Sequence, residues 1–275
     1  MSKQLIPAQR HERIRERLEA CKIVSNSELS ELLGVSEATI RRDLEWLEEQ
    51  GLLERTHGGA IFSQQMKLEP EYAARALAHP EEKRSIGTAA TALIEEGDTI
   101  FLNSGTTATQ LIRHIPSGSK ITVITNNLSA ALEVREASFE LILLGGTFYA
   151  RSNAVIGHFT TENLRQVYAN KTFIGVDGIS LKYGCTVPNN SEAEIVHLMI
   201  ERTRGPIIVM ADHSKWGVVS NFEIARLDQI HSLVTDKGLD ARARAELETR
   251  NVQVIVAGVE PGSEGQTGAW SADKH

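Results

Sequence analysis

Residues 25–51 read SNSELSELLGVSEATIRRDLEWLEEQG, which predicts two short helices separated by a tight turn. Ser25 and Glu28 form a capping-box pattern, in which the hydroxyl accepts from the amide three residues on, so the first helix begins here. Gly34 permits the tight turn because it lacks a Cβ, and Ser36 is a favourable N-cap for the second helix. We expect the first helix to bury Leu29, Leu32 and Leu33, and the second to bury Ile40, Leu44 and Leu47.

The flanking segments complete the pattern of a winged helix-turn-helix. Residues 8–20 predict a preceding helix, with apolar residues four apart on one face. Gly51 ends the second helix, and residues 52–62 predict a short β-hairpin, the wing, with glycines at its tip. We therefore expect residues 1–62 to form a DNA-binding domain.

Bulk charge does not indicate DNA binding. The whole chain has a net charge of -7, and residues 1–60 carry nine Lys and Arg against eleven Asp and Glu. Any contact with DNA must therefore depend on where the charges lie. The start of the second helix offers small hydroxylated residues that allow close approach, then two arginines that can pair with guanine or phosphate. These predicted contacts are Ser36, Glu37, Thr39, Arg41 and Arg42.

Acidic residues on the same helix bear on this prediction. Glu45, Glu48 and Glu49 fall at its far end, which we expect to point away from the DNA groove. An exposed arginine can equally pair with acidic residues one turn away, and Arg41 has Glu37 and Glu45 at that spacing. The capped helices and the wing together favour DNA contact. From the wing we add Arg55, His57 and Gly58.

The rest of the chain predicts a linker, a large α/β domain and a tail. Residues 63–82 are polar and contain two prolines, which favours a linker with some helix. Over residues 83–258, helical stretches alternate with short apolar runs, a pattern typical of a mostly parallel sheet covered by helices. Residues 259–275 have little to bury, and we expect them to be disordered. The apolar runs are 99–102, 121–125, 141–144, 172–176, 207–211, 233–235 and 252–257.

Polar residues follow five of these runs. The run 99–102 leads into Ser104, Gly105, Thr106 and Thr107 at the start of a helix, where free amides and hydroxyls suit an anion. Ligands of open parallel sheets bind at the carboxyl ends of the strands, although a capped helix without a ligand has the same sequence pattern. The other polar strand ends are Thr125, Asn126 and Asn127; Gly145 and Gly146, with Arg151 beyond them; Asp177 and Gly178; and Lys215.

Motifs of several enzyme classes are absent from the sequence. It contains no phosphate loop of the nucleotide triphosphatase type and no dinucleotide-binding fingerprint. Its two cysteines, Cys21 and Cys185, lie far apart, and no histidine pair has the spacing of a zinc helix, so we predict no metal and no cofactor. Asp212-His213-Ser214 resembles a compressed catalytic triad, but adjacent residues cannot converge in that way. The absence of a signal peptide and of a long apolar run favours a soluble, cytoplasmic protein.

One set of residues carries a resemblance to a known family. They are Val35 and Ser36, residues 39–44 (TIRRDL), Leu47, Gly51, Leu52 and residues 55–60 (RTHGGA). In this order they closely resemble the signature of the DeoR family, whose members are mostly bacterial repressors of carbohydrate operons. The resemblance runs from about residue 8 to residue 258, and it implies a helix-turn-helix at about residues 21–40.

The polar strand ends resemble the family's effector domain, which is similar to ribose-phosphate isomerase and glucosamine-phosphate deaminase. This resemblance implies that residues 104–107 bind phosphate and that Asp177 and Lys215 line a sugar pocket. It also places residues 186–194 at the border of the pocket, with Glu192 or Glu194 as a ligand contact. Either glutamate could instead be a first-turn acid that the helix dipole stabilises.

These patterns predict a regulator rather than an enzyme. We expect a repressor of a carbohydrate catabolic operon that binds double-stranded operator DNA as a homodimer or homotetramer and responds to a phosphorylated sugar. We expect it in the bacterial cytoplasm, associated with the nucleoid when bound to DNA. The alternative is a sugar-phosphate isomerase or deaminase with an accessory DNA-binding-like module, because Asp177, Lys215 and Glu192 or Glu194 could in principle transfer protons. The winged helix has no purpose under that alternative.

Overall fold

The computed structural model describes residues 6–21, 23–50, 52–56, 58–62, 64–65, 71–134 and 139–258. No helix in these ranges is long and apolar enough to cross a membrane. Several expectations concern residues outside the described ranges: Gly51 as a helix end, His57 as a DNA contact, the linker at residues 63 and 66–70, and the disordered tail at residues 259–275.

The N-terminal domain is a winged helix-turn-helix, as the sequence predicts. Its elements are α1 (Pro7–Cys21), β1 (Ile23–Ser25), α2 (Asn26–Leu33), α3 (Glu37–Glu49), β2 (Leu53–Thr56) and β3 (Gly59–Phe62). The strands form an antiparallel sheet in the order β1-β3-β2, and the hairpin of β2 and β3 is the wing. One expectation was wrong: Leu32 lies on the outer face of α2 and is 52% exposed, whereas Leu29 and Leu33 are buried in the core.

Local hydrogen bonds explain where the two helices of the helix-turn-helix begin and end. Ser25 Oγ accepts from the Glu28 amide at 3.1 Å and caps α2. Gly34 ends α2 with a φ of +63°, a left-handed conformation that costs about 1–2 kcal/mol for a residue with a Cβ. Ser36 Oγ accepts from the Thr39 amide at 3.3 Å and caps α3. The predicted caps are therefore confirmed.

Residues 71–91 include the second half of the segment predicted as a linker with some helix. They form two helices, α4 (Tyr72–Leu77) and α5 (Pro80–Thr91), where the linker was expected to run to residue 82. Pro80 lies in the first turn of α5, a position that suits proline because the amide there needs no helical partner. Ile86 and Ala90 of α5 are fully buried in the core of the second domain. Helix α5 therefore packs into that domain, and α4 contacts it through the ion pair of Arg75 with Asp177.

The C-terminal domain is built on a seven-stranded parallel sheet. Its elements after α5 are β5 (Thr99–Leu102), α6 (Thr106–His114), β6 (Thr122–Thr125), α7 (Leu128–Glu133), β7 (Glu140–Leu143), β8 (Thr147–Tyr149), β9 (Ala154–Ile156), α8 (His158–Leu164), β10 (Lys171–Gly175), β11 (Gly178–Ser180), β12 (Gly184–Val187), α9 (Asn190–Glu201), β13 (Ile207–Met210), β14 (Val218–Val219), β15 (Phe222–Ala225), β16 (Ser232–Thr235), α10 (Ala241–Glu248) and β17 (Gln253–Val256), with 3-10 turns at His213–Lys215 and Leu227–Gln229. The order is β17-β16-β13-β10-β5-β6-β7. Helices α5, α6 and α7 cover one face, and α8, α9 and α10 cover the other. The seven apolar runs of the sequence are these seven strands, so the predicted α/β class is confirmed.

Small sheets complete the domain. One consists of β11, β12 and β15, and a second is the hairpin of β8 and β9; β14 pairs with β4 (Gln64–Gln65). The β8–β9 hairpin lies across the carboxyl end of β6. The Val155 amide donates to the Asn126 carbonyl at 2.9 Å, and the Leu128 amide donates to the Asn153 carbonyl at 3.1 Å. This hairpin therefore covers one of the predicted ligand-facing strand ends.

The wing contacts the second domain directly. Glu54 of β2 is 3% exposed, and its carboxylate accepts from the amides of Leu181 (3.0 Å) and Lys182 (3.3 Å) in the turn between β11 and β12. Burial raises the pKa of Glu54 in spite of these hydrogen bonds. An ion pair between Glu28 and Arg242, at 3.5 Å, adds a second contact between the domains.

Candidate functional site

The exposed N-terminal half of α3 carries the predicted DNA contacts. The hydroxyls of Ser36 and Thr39 lie 3.0 Å apart in its first turn. Arg41 Nη2 lies 3.3 Å from a carboxylate oxygen of Glu37, and the two side chains are 60% and 46% exposed. Arg42 is also exposed. A surface ion pair of this kind is worth about 0–1 kcal/mol, so phosphate or a base edge can displace Glu37 from Arg41 at little cost.

The wing is attached to the acidic end of α3. The Arg55 amide donates to Glu48 Oε1 at 3.0 Å, and its guanidinium lies 3.4 Å from a Glu45 carboxylate oxygen. Glu45 therefore pairs with Arg55. The spacing in the sequence also allowed a pair between Glu45 and Arg41, which the structure does not form. Gly58 is exposed at the tip of the wing, and its carbonyl accepts from the Asn26 amide at 2.7 Å.

A buried ion pair holds the recognition helix in place. Arg10 of α1 donates from Nε and Nη2 to the two carboxylate oxygens of Asp43, at 2.7 and 2.9 Å. His11 Nε2 lies 2.9 Å from the same carboxylate, and Asp43 is 5% exposed. Asp43 follows the two arginines directly, so this pair sets the angle of α3 against α1. The sequence shows no local sign of it, because the partners are 33 residues apart.

The second candidate site is a cavity of about 140 Å³ in the C-terminal domain. It lies at the carboxyl ends of β5, β10 and β13, which are adjacent strands of the sheet. The structure brings seven of the residues proposed from the sequence to this cavity. They are Ser104, Gly105, Thr106, Thr107, Asp177, Glu192 and Lys215.

The loop before α6 presents backbone amides to the cavity. Gly105 precedes the helix with a φ of +133°, which favours glycine, and no side chain caps the first turn. Asn103 stabilises the loop from below: its side chain donates to the Gly175 carbonyl at 2.9 Å and accepts from the Gly175 amide at 2.7 Å. An uncapped helix start with hydroxyls at Thr106 and Thr107 provides donors of the kind that bind a phosphate.

Three cationic side chains border the same cavity, and two of them were not predicted. Arg75 of α4 lies 3.3 Å from Asp177, and both side chains are mostly buried. Lys83 of α5 is 4% exposed and donates to the carbonyls of Arg75 and Ala78 at the end of α4. Lys215 is the third. Arg75 and Lys83 were missed because their segment was assigned to the linker or to its border.

Burial and neighbouring charges shift two pKa values in the cavity. Burial lowers the pKa of Lys83, and the carboxylate of Asp212 partly opposes this effect. Burial raises the pKa of Glu192, and the charge of Asp177 adds to the increase. Ser104 Oγ donates to Glu192 Oε1 at 3.1 Å, and this hydrogen bond connects the loop of residues 104–107 to α9. The cavity therefore combines hydrogen-bond donors that suit an anion with carboxylates that suit sugar hydroxyls.

The remaining residues proposed from the sequence do not line this cavity. Asn126 and Asn127 bind the β8–β9 hairpin and the start of α7, and Thr125 Oγ1 donates to the Leu102 carbonyl at 2.6 Å. Glu194 is on the exposed face of α9, because two positions along a helix turn a side chain away from Glu192. The full set outside the cavity is Thr125, Asn126, Asn127, Gly145, Gly146, Arg151, Gly178 and Glu194.

Asp212, His213 and Ser214 do not form a catalytic triad. Asp212 accepts from the Ser214 amide at 3.0 Å and from its hydroxyl, so Asp212 does not orient the imidazole. His213 Nδ1 lies 2.9 Å from Asp236 instead. Asp212 and Ser214 border the cavity and add polar groups that are not among the predicted site residues.

Comparisons with known proteins agree with this two-domain architecture. Residues 10–66 match the family model "DeoR-like helix-turn-helix domain", and residues 78–237 match "DeoR C terminal sensor domain". The chain is 35% identical to the HTH-type transcriptional regulator GlpR of Haloferax volcanii, over 91% of this chain and 98% of that protein. It is also 35% identical to the HTH-type transcriptional repressor GlcR of Bacillus subtilis, over 88% of this chain and 93% of that protein.

A solved structure of ribose 5-phosphate isomerase A from Methanocaldococcus jannaschii is a more distant match. It aligns with a TM-score of 0.37 and 16% identity, over 50% of this chain and 55% of that one.

Proposed function

The chain belongs to the DeoR family of transcriptional regulators, and from that premise we propose that it represses a carbohydrate catabolic operon and that a phosphorylated sugar releases it from DNA. It works in the cytoplasm, where the chromosome lies. A dimer, or a dimer of dimers, places two recognition helices on operator half-sites about 10 base pairs or a multiple apart. The name of the Bacillus subtilis repressor supports repression over activation.

The residues that border the cavity are the basis for the class of ligand that we propose. Its loop offers uncapped amides and hydroxyls, and Arg75, Lys83 and Lys215 supply positive charge beside them. Phosphate is the group that matches this set. Asp177 and Glu192 add carboxylates, which bind hydroxyls, so a phosphorylated polyol or sugar fits better than inorganic phosphate alone.

The β11–β12 hairpin connects this cavity to the wing. Asp177, which borders the cavity, directly precedes β11, and Val187 at the end of β12 also borders it. The turn at the other end of the hairpin binds Glu54 of the wing through two amides. A ligand that moves Asp177 therefore moves an element that contacts the DNA-binding domain. We assign the coupling between ligand and DNA to this hairpin.

Replacing Glu54 with alanine should weaken that coupling. The variant loses the acceptor for two amides, so the factor by which ligand lowers DNA affinity should shrink about 2- to 30-fold, the range that corresponds to 0.5–2 kcal/mol. Fluorescence anisotropy of labelled DNA, with and without the ligand, measures this factor. Glu54→Gln keeps a carbonyl acceptor and should retain the coupling, as should Glu223→Ala on the exposed edge of β15. Unchanged coupling in Glu54→Ala would remove the hairpin from the mechanism.

The proposed function is tested with DNA that the purified protein selects from a random-sequence pool. Anisotropy titrations of this DNA are then repeated with a panel of hexose and pentose phosphates and with the same sugars without phosphate. We expect at least one phosphorylated sugar to lower DNA affinity about 5- to 150-fold, the usual range of allosteric coupling, while its parent sugar has no effect. Chromatography should recover every sugar phosphate unchanged; turnover would support the isomerase or deaminase alternative.

A further inference from the structure

Three metal-ligand side chains meet at the rim of the cavity. One ligand atom each from His79, Asp212 and His213 lies within 4.8 Å of the other two. His79 lies between α4 and α5, and the other two residues follow β13. The sequence predicts no metal here, because the ligands come from segments more than 130 residues apart. We propose that these three residues bind a divalent transition-metal ion of the zinc class.

Asp212 has a buried carboxylate oxygen without a hydrogen-bond partner among the described residues. The residue is 2% exposed, and its Oδ1 accepts from the Ser214 amide and hydroxyl. Its Oδ2 is buried and accepts no hydrogen bond from any residue in the described ranges. A buried carboxylate oxygen without a partner is costly and rare. A cation bound at Oδ2 removes this cost.

His213 is oriented as metal-binding histidines are. Its Nδ1 lies 2.9 Å from Asp236 Oδ2, and its amide donates to Asp236 Oδ1 at 2.7 Å. A carboxylate on one ring nitrogen fixes the tautomer and leaves the other nitrogen, here Nε2, for a metal. Gly238 makes room for the pair, since a Cβ there would lie 2.6 Å from His213 Nδ1 and 2.7 Å from Asp236 Oδ2.

His79 completes the set from a strained backbone position. Its φ is +51°, in the left-handed region that residues with a Cβ avoid, and its side chain does not cap α5. Backbone strain of this kind tends to occur at functional sites. The His79 ring lies edge-on to the His213 ring, with centroids 5.1 Å apart. This backbone conformation places the His79 imidazole beside that of His213.

The donor atoms of these three residues determine which metal ions the site suits. Two imidazoles and one carboxylate suit zinc, cobalt, nickel or iron, whereas magnesium and calcium prefer oxygen alone. Tetrahedral zinc holds its donors about 3.4 Å apart, so donor atoms that lie up to 4.8 Å apart must approach one another to bind it. His79 is partly exposed, so its side chain can adjust on the solvent side.

The bound ion would also contribute to ligand binding in the cavity. Three protein ligands leave at least one position open, as in catalytic zinc sites, and His79 and Asp212 both border the cavity. An open position there accepts a phosphate or hydroxyl oxygen of the ligand. This step rests on the proposed function, but binding of the ion itself requires neither DNA nor a sugar phosphate.

The test is a titration of the full chain, stripped with chelator, with zinc chloride by calorimetry and with cobalt by visible absorption. We expect one site per chain, and we expect its affinity for zinc to fall more than tenfold in His79→Asn and in His213→Asn. Asp236→Asn should weaken it about 10- to 100-fold through the orientation of His213. Asparagine tolerates the backbone of residue 79, and circular dichroism checks that each variant is folded.

The control is His158→Asn, which removes an exposed histidine at the start of α8 and should bind zinc as the parent does. Zinc affinity that is unchanged in His79→Asn and His213→Asn overturns the proposal, as does a parent protein that binds neither metal. A failed zinc titration leaves the ligand-controlled release of DNA intact. Conversely, zinc binding survives if no sugar phosphate affects DNA binding, so the two proposals fail separately.

Discussion

Arg41→Ala should weaken binding to the selected DNA about 10- to 100-fold while the stability of the protein stays the same. Arg41 is 60% exposed near the start of α3, and among the described residues its side chain forms a single ion pair, the exposed one with Glu37. A bidentate contact between arginine and a base is worth about 1–3 kcal/mol, with about 1.4 kcal/mol for each factor of ten. Anisotropy titrations measure the loss.

Arg13→Ala is the matched control, because Arg13 is an exposed arginine of α1 in the same domain. It should change DNA affinity by less than about threefold, since it lies outside the helix that enters the groove. Salt titration adds a second readout. If Arg41 contacts phosphate, the slope of log affinity against log salt should become shallower by about 0.9. Equal DNA affinity for Arg41→Ala and the parent would contradict the assignment of α3 as the recognition helix.

Lys215→Met should leave DNA binding intact but raise the concentration of sugar phosphate needed for release about 10- to 100-fold. Lys215 borders the cavity beside the loop 104–107, and methionine keeps most of its length without the charge. A hydrogen bond to a charged group contributes about 1.5–3 kcal/mol. The measurement is the midpoint of ligand-induced release in the anisotropy assay.

Lys120→Met controls for the loss of one positive charge, because Lys120 is exposed and remote from the residues that border the cavity. Its release midpoint should equal that of the parent. Should Lys215→Met also respond like the parent, the phosphate site would have to lie elsewhere.

Features that depend on neighbouring residues in the chain were predictable from the sequence. The caps at Ser25 and Ser36 and the turn at Gly34 follow from side chains within three or four positions. The strands were predictable because parallel strands buried on both faces are continuous apolar runs. Ile100 and Phe101 of β5 face opposite cores, and both are fully buried.

Features that depend on distant partners were not predictable. The order of the strands determines which polar strand ends meet, and it places β5, β10 and β13 together. Asn126 and Asn127 directly follow the neighbouring strand β6, but a hairpin from residues 147–156 covers them. Arg75 reaches the cavity only because α4 packs beside it, and nothing near Arg75 in the sequence shows this.

We propose that one ligand in the cavity controls DNA binding by α3 and the wing. This proposal is tested most directly by a closed cycle of four affinities: the affinity for selected DNA with and without the active sugar phosphate, and the affinity for that sugar phosphate with and without DNA. We expect the ligand to lower DNA affinity and DNA to lower ligand affinity by the same factor. Unchanged DNA affinity for every phosphorylated sugar in the panel, at concentrations that saturate the cavity, would contradict it.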